Sequence, residues 1–215
     1  MNVNAPSVII FKGKAIIPKI GFNIKKDKLK IIFDAFISDT YVLAKLIDAC
    51  PDKIAVLKPL YELIKDKPIF KTLRGNTLVK LFRRDRKLAT EKNIGLTVDQ
   101  RASLLTADYD HKDAVFENLI RPNGINTITI TEKKEGLAAA EILTEYAYGL
   151  GAESAQFNEL LTKFKPARKK ELISRKKLSP EIRTSLYESL PVADKQGFEN
   201  PKEQPTGAPT IAGHG

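Results

Sequence analysis

Two kinds of hydrophobic spacing alternate along the amino-acid sequence. Near its start, Val8–Phe11 and Ala15–Ile17 are rich in β-branched residues and flank the polar segment Lys12–Lys14, which predicts two short strands joined by a turn. Apolar positions then recur every three or four residues and predict a helix over about 28–49. The start of that helix has an alternative, because the consecutive apolar residues of Ile31–Phe33 also suit a strand.

Helical spacing continues through most of the chain. Pro59 lies inside one of these apolar stripes and should kink or split its helix, because proline lacks the N–H that the helix needs. Gly95 is expected to end the helix that precedes it. The predicted helices after the first cover about 54–64, 71–92, 98–107, 111–120, 133–148, 152–165, 166–177 and 179–190.

Two of the predicted helices begin with capping signals. Thr97 and Gln100 have the spacing of a capping box, in which each side chain bonds the backbone N–H of the other residue. Ser179 precedes Pro180 and Glu181, so a cap hydroxyl, a proline and an acid stand together at a helix start. These signals are local and predict where both helices begin.

Residues 125–131 alternate between apolar and polar side chains, as a strand does. They follow the turn signal Pro122–Gly124, and their three threonines would share one face of an extended chain. We therefore predict an α+β fold that is predominantly helical, with about seven to nine helices. A small β-sheet would combine the N-terminal strands with residues 125–131.

Length and composition predict the domain organisation. The 215 residues suit one mainly helical globular domain over 1–190, with 161–190 as a candidate basic helical module. Residues 191–215 are rich in proline and glycine and have little to bury, which predicts a flexible tail. Because the uncharged stretches are too short to cross a bilayer, we expect a cytoplasmic location, or one within a particle assembled in the cytoplasm, and no membrane contact.

Charge is strongly biased and segregated. The chain carries 36 lysines and arginines against 26 acids, for a formal net charge of +10. Such blocks suit either an external polyanion or contact between the chain's own blocks or neighbouring copies. The sequence does not choose between these. The net charges are +5 over 1–60, +6 over 61–95, −6 over 96–160 and +6 over 161–190.

The helix predicted over 71–92 gathers basic residues on one face. Four of them are spaced i, i+3, i+4 and i+7, and four cations in two turns could bind a phosphate backbone by releasing its counterions. An ordinary solvated face is the alternative, because Asp85 interrupts the charge. The four residues are Lys80, Arg83, Arg84 and Lys87.

A second basic segment, Lys163–Lys177, has cations all round its predicted helix. This arrangement suits contact with a nucleic-acid backbone, or a soluble linker helix, and suits sequence-specific reading of a groove poorly. Any binding to DNA or RNA would then be salt-sensitive. The candidate contacts here are Arg168, Lys169, Arg175 and Lys176.

Patterns that would indicate an enzyme are weak. Residues 108–113 gather three aspartates around His111, but an EF-hand would need glycine where Asp113 stands and an acid where Leu119 stands. Cys50 is the only cysteine, which excludes an intrachain disulfide and a Cys-based zinc site and suggests a free thiol in a reducing compartment. We therefore expect no catalytic residues, no metal and no cofactor.

Our leading hypothesis is a non-catalytic structural or assembly protein that acts through segregated charged surfaces. It would belong to a nucleoprotein complex or a viral or phage particle, and its partners would be other proteins, copies of itself, or the backbone of DNA or RNA. One alternative is a stand-alone protein that binds nucleic acid without sequence preference. The other is an enzyme built on residues 108–113. The polyanion hypothesis fails if acids of residues 96–160 neutralise the basic residues within the fold.

Overall fold

The chain is mostly helical. The computed structural model describes residues 9–11, 14–16, 39–50, 52–91, 94–122, 125–196 and 198–201. These residues form two compact units, divided between Leu119 and Ile120. Among them, no helix is both long and apolar enough to cross a membrane.

Unit 1, which ends at Leu119, contains a short hairpin and a series of helices. Ile9–Phe11 (β1) pairs antiparallel with Lys14–Ile16 (β2), and Ile10 lies opposite Ala15. Two 3-10 helices, Pro68–Thr72 and Leu104–Thr106, separate some of the α-helices. The α-helices are Thr40–Ala49 (α1), Ile54–Ile64 (α2), Gly75–Leu81 (α3), Lys87–Thr90 (α4), Val98–Ser103 (α5) and Lys112–Ile120 (α6), of which α6 reaches the boundary.

Unit 2, which starts at Ile120, consists of helices and the loops that join them, with no strand among its described residues. One 3-10 helix, Lys134–Gly136, joins its first two α-helices. The α-helices are Ile125–Glu132 (α7), Leu137–Gly149 (α8), Ala155–Lys163 (α9), Pro166–Ile173 (α10), Pro180–Glu188 (α11) and Val192–Lys195 (α12).

Each unit buries one side of its helices in a core of its own. In unit 1, Leu57, Leu60 and Ile64 repeat at helical spacing along α2 and are buried, so this side of α2 belongs to the core. In unit 2, the small Ala139, Ala140 and Ala147 of α8 are buried and let neighbouring helices approach closely. The core is aliphatic and aromatic in both units, and its burial is the main stabilising contribution.

The predicted α+β class is wrong. Residues 125–131, the clearest predicted strand, are helical and belong to α7, so the small β-sheet that would include them does not form. The helix count is also wrong, because the described residues contain twelve α-helices where seven to nine were predicted.

Local hydrogen bonds accommodate the threonines of the alternating segment in a helix. In α7 the Thr131 hydroxyl donates to the carbonyl of Thr127, four residues earlier, at 2.9 Å. This bond is common for threonine in helices, so the alternating polar side chains do not demand a strand. Thr129, Ile130 and Thr131 are all buried, which means that α7 packs by three consecutive residues and not by one alternating face.

The single helix predicted over 71–92 is also wrong, because the chain breaks between α3 and α4. Gly75 starts α3 with a left-handed φ of 48°, and Arg83 and Arg84 follow its end with φ of 53° and 58°. By contrast, α2 continues through Pro59 without being split. Of the helix predicted over 28–49, residues 40–49 are helical and 28–38 lie outside the described residues.

Both predicted capping signals are confirmed. Thr97 accepts from the Gln100 N–H at 3.1 Å, and the Gln100 side chain accepts from the Thr97 N–H at 3.0 Å. Ser179 caps α11 through the Ile182 N–H, with Pro180 at the first helical position. Residues 192–195 of the predicted tail are helical, whereas 202–215 lie outside the described residues and their flexibility stays a prediction.

Candidate functional site

Arg83 and Arg84, whose backbone is in the left-handed conformation, end helix α3. The Arg83 N–H donates to the Lys80 carbonyl and the Arg84 N–H to the Val79 carbonyl, both at 2.8 Å. This pair of bonds is a Schellman motif, which normally places glycine in the left-handed position because a side chain is disfavoured there. Two arginines in this conformation leave the helix axis, so the predicted stripe of four cations on one helix face does not exist.

These arginines line a mixed-charge pocket of about 380 Å³, which we call the arginine pocket. Arg83 pairs with Asp52 at 3.0 Å. Arg84 pairs with Asp108 and lies 3.6 Å from Asp110. The pocket brings together as many carboxylates as cations, so its charge is balanced within the fold. Its lining residues are Asp48, Asp52, Asn76, Val79, Lys80, Arg83, Arg84 and Asp108.

Lys80 and Lys87, the other two residues of this predicted site, also have partners in the fold. The Lys80 ammonium donates to the Asp48 carbonyl in the last turn of α1, where helical carbonyls lack internal partners. Lys87 lies 3.8 Å from Glu91, one turn further along the chain. None of the four cations is therefore presented as a free group.

The acidic cluster at residues 108–113 neutralises a cation of the arginine pocket. Two of its aspartates hold Arg84, and the His111 ring packs edge-on against Tyr109 at 5.5 Å. Burial raises the pKa of the Tyr109 hydroxyl, which donates to the Asp85 carbonyl at 2.9 Å. Within the described ranges, no group of three or more His, Cys, Asp or Glu side chains is placed to hold a metal ion.

In unit 2 the structure encloses Arg168 and Lys169, which were predicted to contact a polyanion. Arg168 is 1% exposed and donates to the Ile130 carbonyl at 2.9 Å and to the Lys133 carbonyl. These carbonyls are at the C-terminal end of α7, so Arg168 caps that helix from α10. Its third partner is Glu171, at 2.6 Å. Burial lowers the pKa of the guanidinium.

Lys169 makes the equivalent contact with another helix. It is 6% exposed, and its ammonium donates to the Ser189 carbonyl at the end of α11, at 2.8 Å. Burial lowers the pKa of this ammonium. A cation at a helix C-terminus meets both the unpaired carbonyls and the negative end of the helix dipole, which compensates for part of its desolvation.

The two remaining predicted contacts differ from each other. Arg175 pairs with Glu141 at 2.5 Å, and Glu141 belongs to the acidic block of residues 96–160. Lys176 is exposed. Glu145 lies one turn from Glu141, and its pKa is raised by burial and by that neighbouring charge. Of the eight predicted residues, Lys176 is therefore the one that the structure leaves open to solvent without an ion pair among the described residues.

The sequence did not identify the long-range bonds that two buried polar side chains of unit 1 make to the ends of other helices. Arg101 donates to the Leu88 and Glu91 carbonyls at the end of α4, at 3.3 and 2.8 Å. Gln100 donates to the Phe70 carbonyl at 2.7 Å. A signal was present, because both residues lie next to Ala102–Leu105 in a stretch whose other side chains are small or apolar.

The sequence also missed an open apolar surface on α2. Ile54 belongs to the apolar stripe that predicts this helix, but it is 61% exposed. It lines a groove of about 440 Å³ on the side of α2 away from the unit 1 core, which we call the α2 face. Its lining residues are Ile54, Ala55, Lys58, Pro59, Glu62 and Leu63.

The arginine pocket and the α2 face are thus the two candidate sites of unit 1. Cys50 adds no third, because its thiol is half-buried and burial raises its pKa, which disfavours the reactive thiolate. In comparisons with family models, curated proteins and solved structures, the chain matches none of them.

Proposed function

We propose that this chain is a non-catalytic structural or assembly protein that acts through contacts with other protein surfaces. The α2 face is the observation that carries the proposal. Contiguous apolar side chains left open on a protein surface support a site of contact. On this side of α2, Ile54 is 61% exposed, and the exposed Ala55 and the half-buried Pro59 and Leu63 continue the apolar surface.

The burial and pairing of the basic residues favour a function in protein contact over one in nucleic-acid contact. Phosphate binding needs cations that are exposed and can exchange small counterions for phosphates. Arg168 and Lys169 are enclosed and bonded to carbonyls. Arg84 and Arg175 pair with acids of residues 96–160, which reduces the support for the polyanion hypothesis. Four of the eight predicted cations therefore have partners of this kind within the fold.

The proposal is tested on the protein in its native source. In a gentle extract, we expect the chain to elute well above the mass of a monomer during size-exclusion chromatography. The large species should survive nuclease treatment and a wash in high salt, because apolar contacts are not screened by ions. The chain eluting as a monomer would refute an assembly role. A complex that nuclease dissolves would instead support the nucleic-acid alternative.

A further inference from the structure

The cations of the arginine pocket have partners in the fold, but the fold does not use all of their hydrogen-bond donors. The Arg83 guanidinium bonds Asp52 through Nε alone, at 3.0 Å, so its two terminal nitrogens have no hydrogen-bond partner among the described residues. The Lys80 ammonium has three N–H donors, of which one bonds the Asp48 carbonyl. Both cations line the same cavity, so donors for an anionic group converge there.

The aspartates of the pocket likewise have unused acceptors. Asp48 belongs to the last turn of α1, where unpaired carbonyls and the helix dipole add negative charge. Its carboxylate accepts from the Thr77 hydroxyl at 3.4 Å, which occupies one of its two oxygens. The Asp52 carboxylate bonds Arg83 through Oδ1, and its Oδ2 has no hydrogen-bond partner among the described residues. The same cavity therefore also holds acceptors for an ammonium group.

We propose that the arginine pocket binds a small zwitterion of the amino-acid class, which carries one carboxylate and one ammonium group. The carboxylate takes the unused donors of Arg83 and Lys80, and the ammonium takes the unused oxygens of Asp48 and Asp52. The aspartates would repel a lone anion and the basic residues a lone cation, so the balanced lining favours a molecule with both charges. This inference goes beyond the assembly function proposed above and does not depend on it.

The pocket also has the size and the backbone geometry of a small-ligand site. Its volume of about 380 Å³ lies within the roughly 300 to 1,000 Å³ of small-molecule sites. Two consecutive residues with side chains, Arg83 and Arg84, have left-handed φ, which is disfavoured. Such conformations cluster at ligand-binding sites and switch regions. Here the turn brings both guanidinium groups to the cavity.

The expected affinity is modest, and the ligand is small. Arg83 and Asp52 are exposed, and exposed ion pairs contribute little, so the expected dissociation constant is on the order of millimolar. Val79 is the one apolar residue among the described residues that line the pocket. The pocket therefore offers little contact to a long apolar side chain, and alanine is a suitable probe.

The first test compares three probes by NMR titration of the full chain labelled with ¹⁵N, at pH 7 and constant ionic strength. L-Alanine carries both charges, acetate only the negative one and ethylammonium only the positive one. Up to about 50 mM, a range that spans a millimolar dissociation constant, alanine should shift the signals of the pocket residues and saturate. Each singly charged probe should bind roughly fivefold more weakly or worse. Acetate or ethylammonium binding as tightly as alanine, or alanine giving no saturable shift, would overturn the proposal.

The second test is Asp52→Asn, which should change the affinities for two probes in opposite directions. It removes a charge that holds the ammonium, so alanine should bind roughly fivefold more weakly. It also releases Arg83 from its ion pair, so acetate should bind more tightly. Unfolding would weaken both probes, and the opposite signs therefore separate a lost contact from a lost fold.

Arg83→Gln and two controls complete the series. Arg83→Gln removes the guanidinium fork and should weaken alanine roughly fivefold or more. Arg86→Gln and Asp66→Asn make the same charge changes at exposed residues outside the pocket lining and should leave alanine binding unchanged. Asp52→Asn weakening both probes, or leaving alanine binding unchanged, would refute the proposed site.

Discussion

Arg168 illustrates how single residues use charge in this protein. Its side chain extends from α10 into the interior of unit 2 and donates to the carbonyls at the C-terminal end of α7. Lys169 does the same for α11, and Arg101 for α4 in unit 1. In each case a cation from one helix supplies the donors that the end of another helix lacks. The positive charge of these three residues therefore stabilises the fold.

Replacing Arg168 tests this use of charge. Arg168→Met removes every donor but keeps much of the side-chain volume, so the Ile130 and Lys133 carbonyls lose a charged donor and stay buried. Charged hydrogen bonds and unsatisfied buried acceptors have effects of this order, and we expect the free energy of unfolding to fall by about 3 kcal/mol. Urea denaturation measures the change.

The matched control is Lys176→Met, at an exposed lysine that follows α10. Surface substitutions away from such bonds usually change stability by less than about 0.5 kcal/mol. Equal losses for the two variants would mean that Arg168 contributes charge in general and no specific cap.

Glu181 gives a pH dependence with a defined sign. Its own backbone N–H and the Ser179 side chain bond its carboxylate at the start of α11, which lowers its pKa below 4.5. A carboxyl whose pKa is lower in the folded state stabilises the fold above its unfolded pKa, and this contribution is lost as the pH falls through the folded pKa. Glu181→Gln lacks this carboxylate and should therefore lose less stability than the natural chain when the pH falls.

Unfolding at pH 7 and pH 3 measures that change, and an NMR titration of the side-chain carboxyl gives the pKa directly. Glu188, an acid at the other end of α11, offers the control Glu188→Gln. A Glu181 carboxyl that titrates at its ordinary pH would contradict the prediction.

At the scale of elements, a close backbone contact joins α7 to the 3-10 helix Lys134–Gly136. A Cβ added to Gly136 would overlap the backbone carbonyl of Thr129. Because backbone cannot rotate away as a side chain can, Gly136→Ala should lower the free energy of unfolding by at least about 2 kcal/mol. Thermal or urea denaturation would show the loss.

Gly149 offers the opposite case in the same unit. It is the last residue of α8, and an added Cβ would meet no atom within 4 Å. Gly149→Ala should stabilise the chain by about 0.5 to 1 kcal/mol, because alanine loses less backbone entropy in a helix. Similar losses at both glycines would show that close packing at Gly136 is not the cause.

Elements governed by neighbouring residues could be predicted from the sequence. Thr97 and Ser179 start their helices as expected because each bonds an N–H three residues away. The failures involve distant residues. The alternation of residues 125–131 gave no sign of Arg168, which caps α7 from 38 residues away, and nothing in residues 71–92 revealed that Arg83 and Arg84 would turn out of the helix to meet distant aspartates.

The candidate site was less predictable than the fold. Polyanion contact by the eight basic residues stays a prediction, which was made by counting charges, because the sequence does not show how they pair. Asp52 lies 31 residues from Arg83 and Glu141 lies 34 from Arg175, so both pairings depend on the tertiary fold. Ile54 is an exposed member of the apolar stripe of α2. Helical spacing gives a direction only to within about one residue position, so a residue at the edge of a stripe can face outwards.

For the whole molecule, the pairing of charge within the fold predicts weak nucleic-acid binding despite the net charge of +10. If all eight predicted residues contacted phosphates, the logarithm of the binding constant would fall with the logarithm of salt concentration with a slope of about −7. With only Lys176 of these eight free of a partner among the described residues, the slope should be about −1. Fluorescence anisotropy with a labelled DNA duplex measures it, and a slope steeper than about −4 would contradict the prediction.

The cap on α7 also matters while the chain is being made. Ile130 leaves the ribosome 38 residues ahead of Arg168, and translation at roughly 5 to 20 residues per second makes that interval about 2 to 8 s. During this time the nascent segment at 125–131 has an alternating, uncharged sequence of the kind that assembles into cross-β aggregates and lacks the arginine that holds its helix closed. Before Arg168 is made, residues 125–131 of nascent chains on the same messenger RNA could therefore pair with one another and misfold.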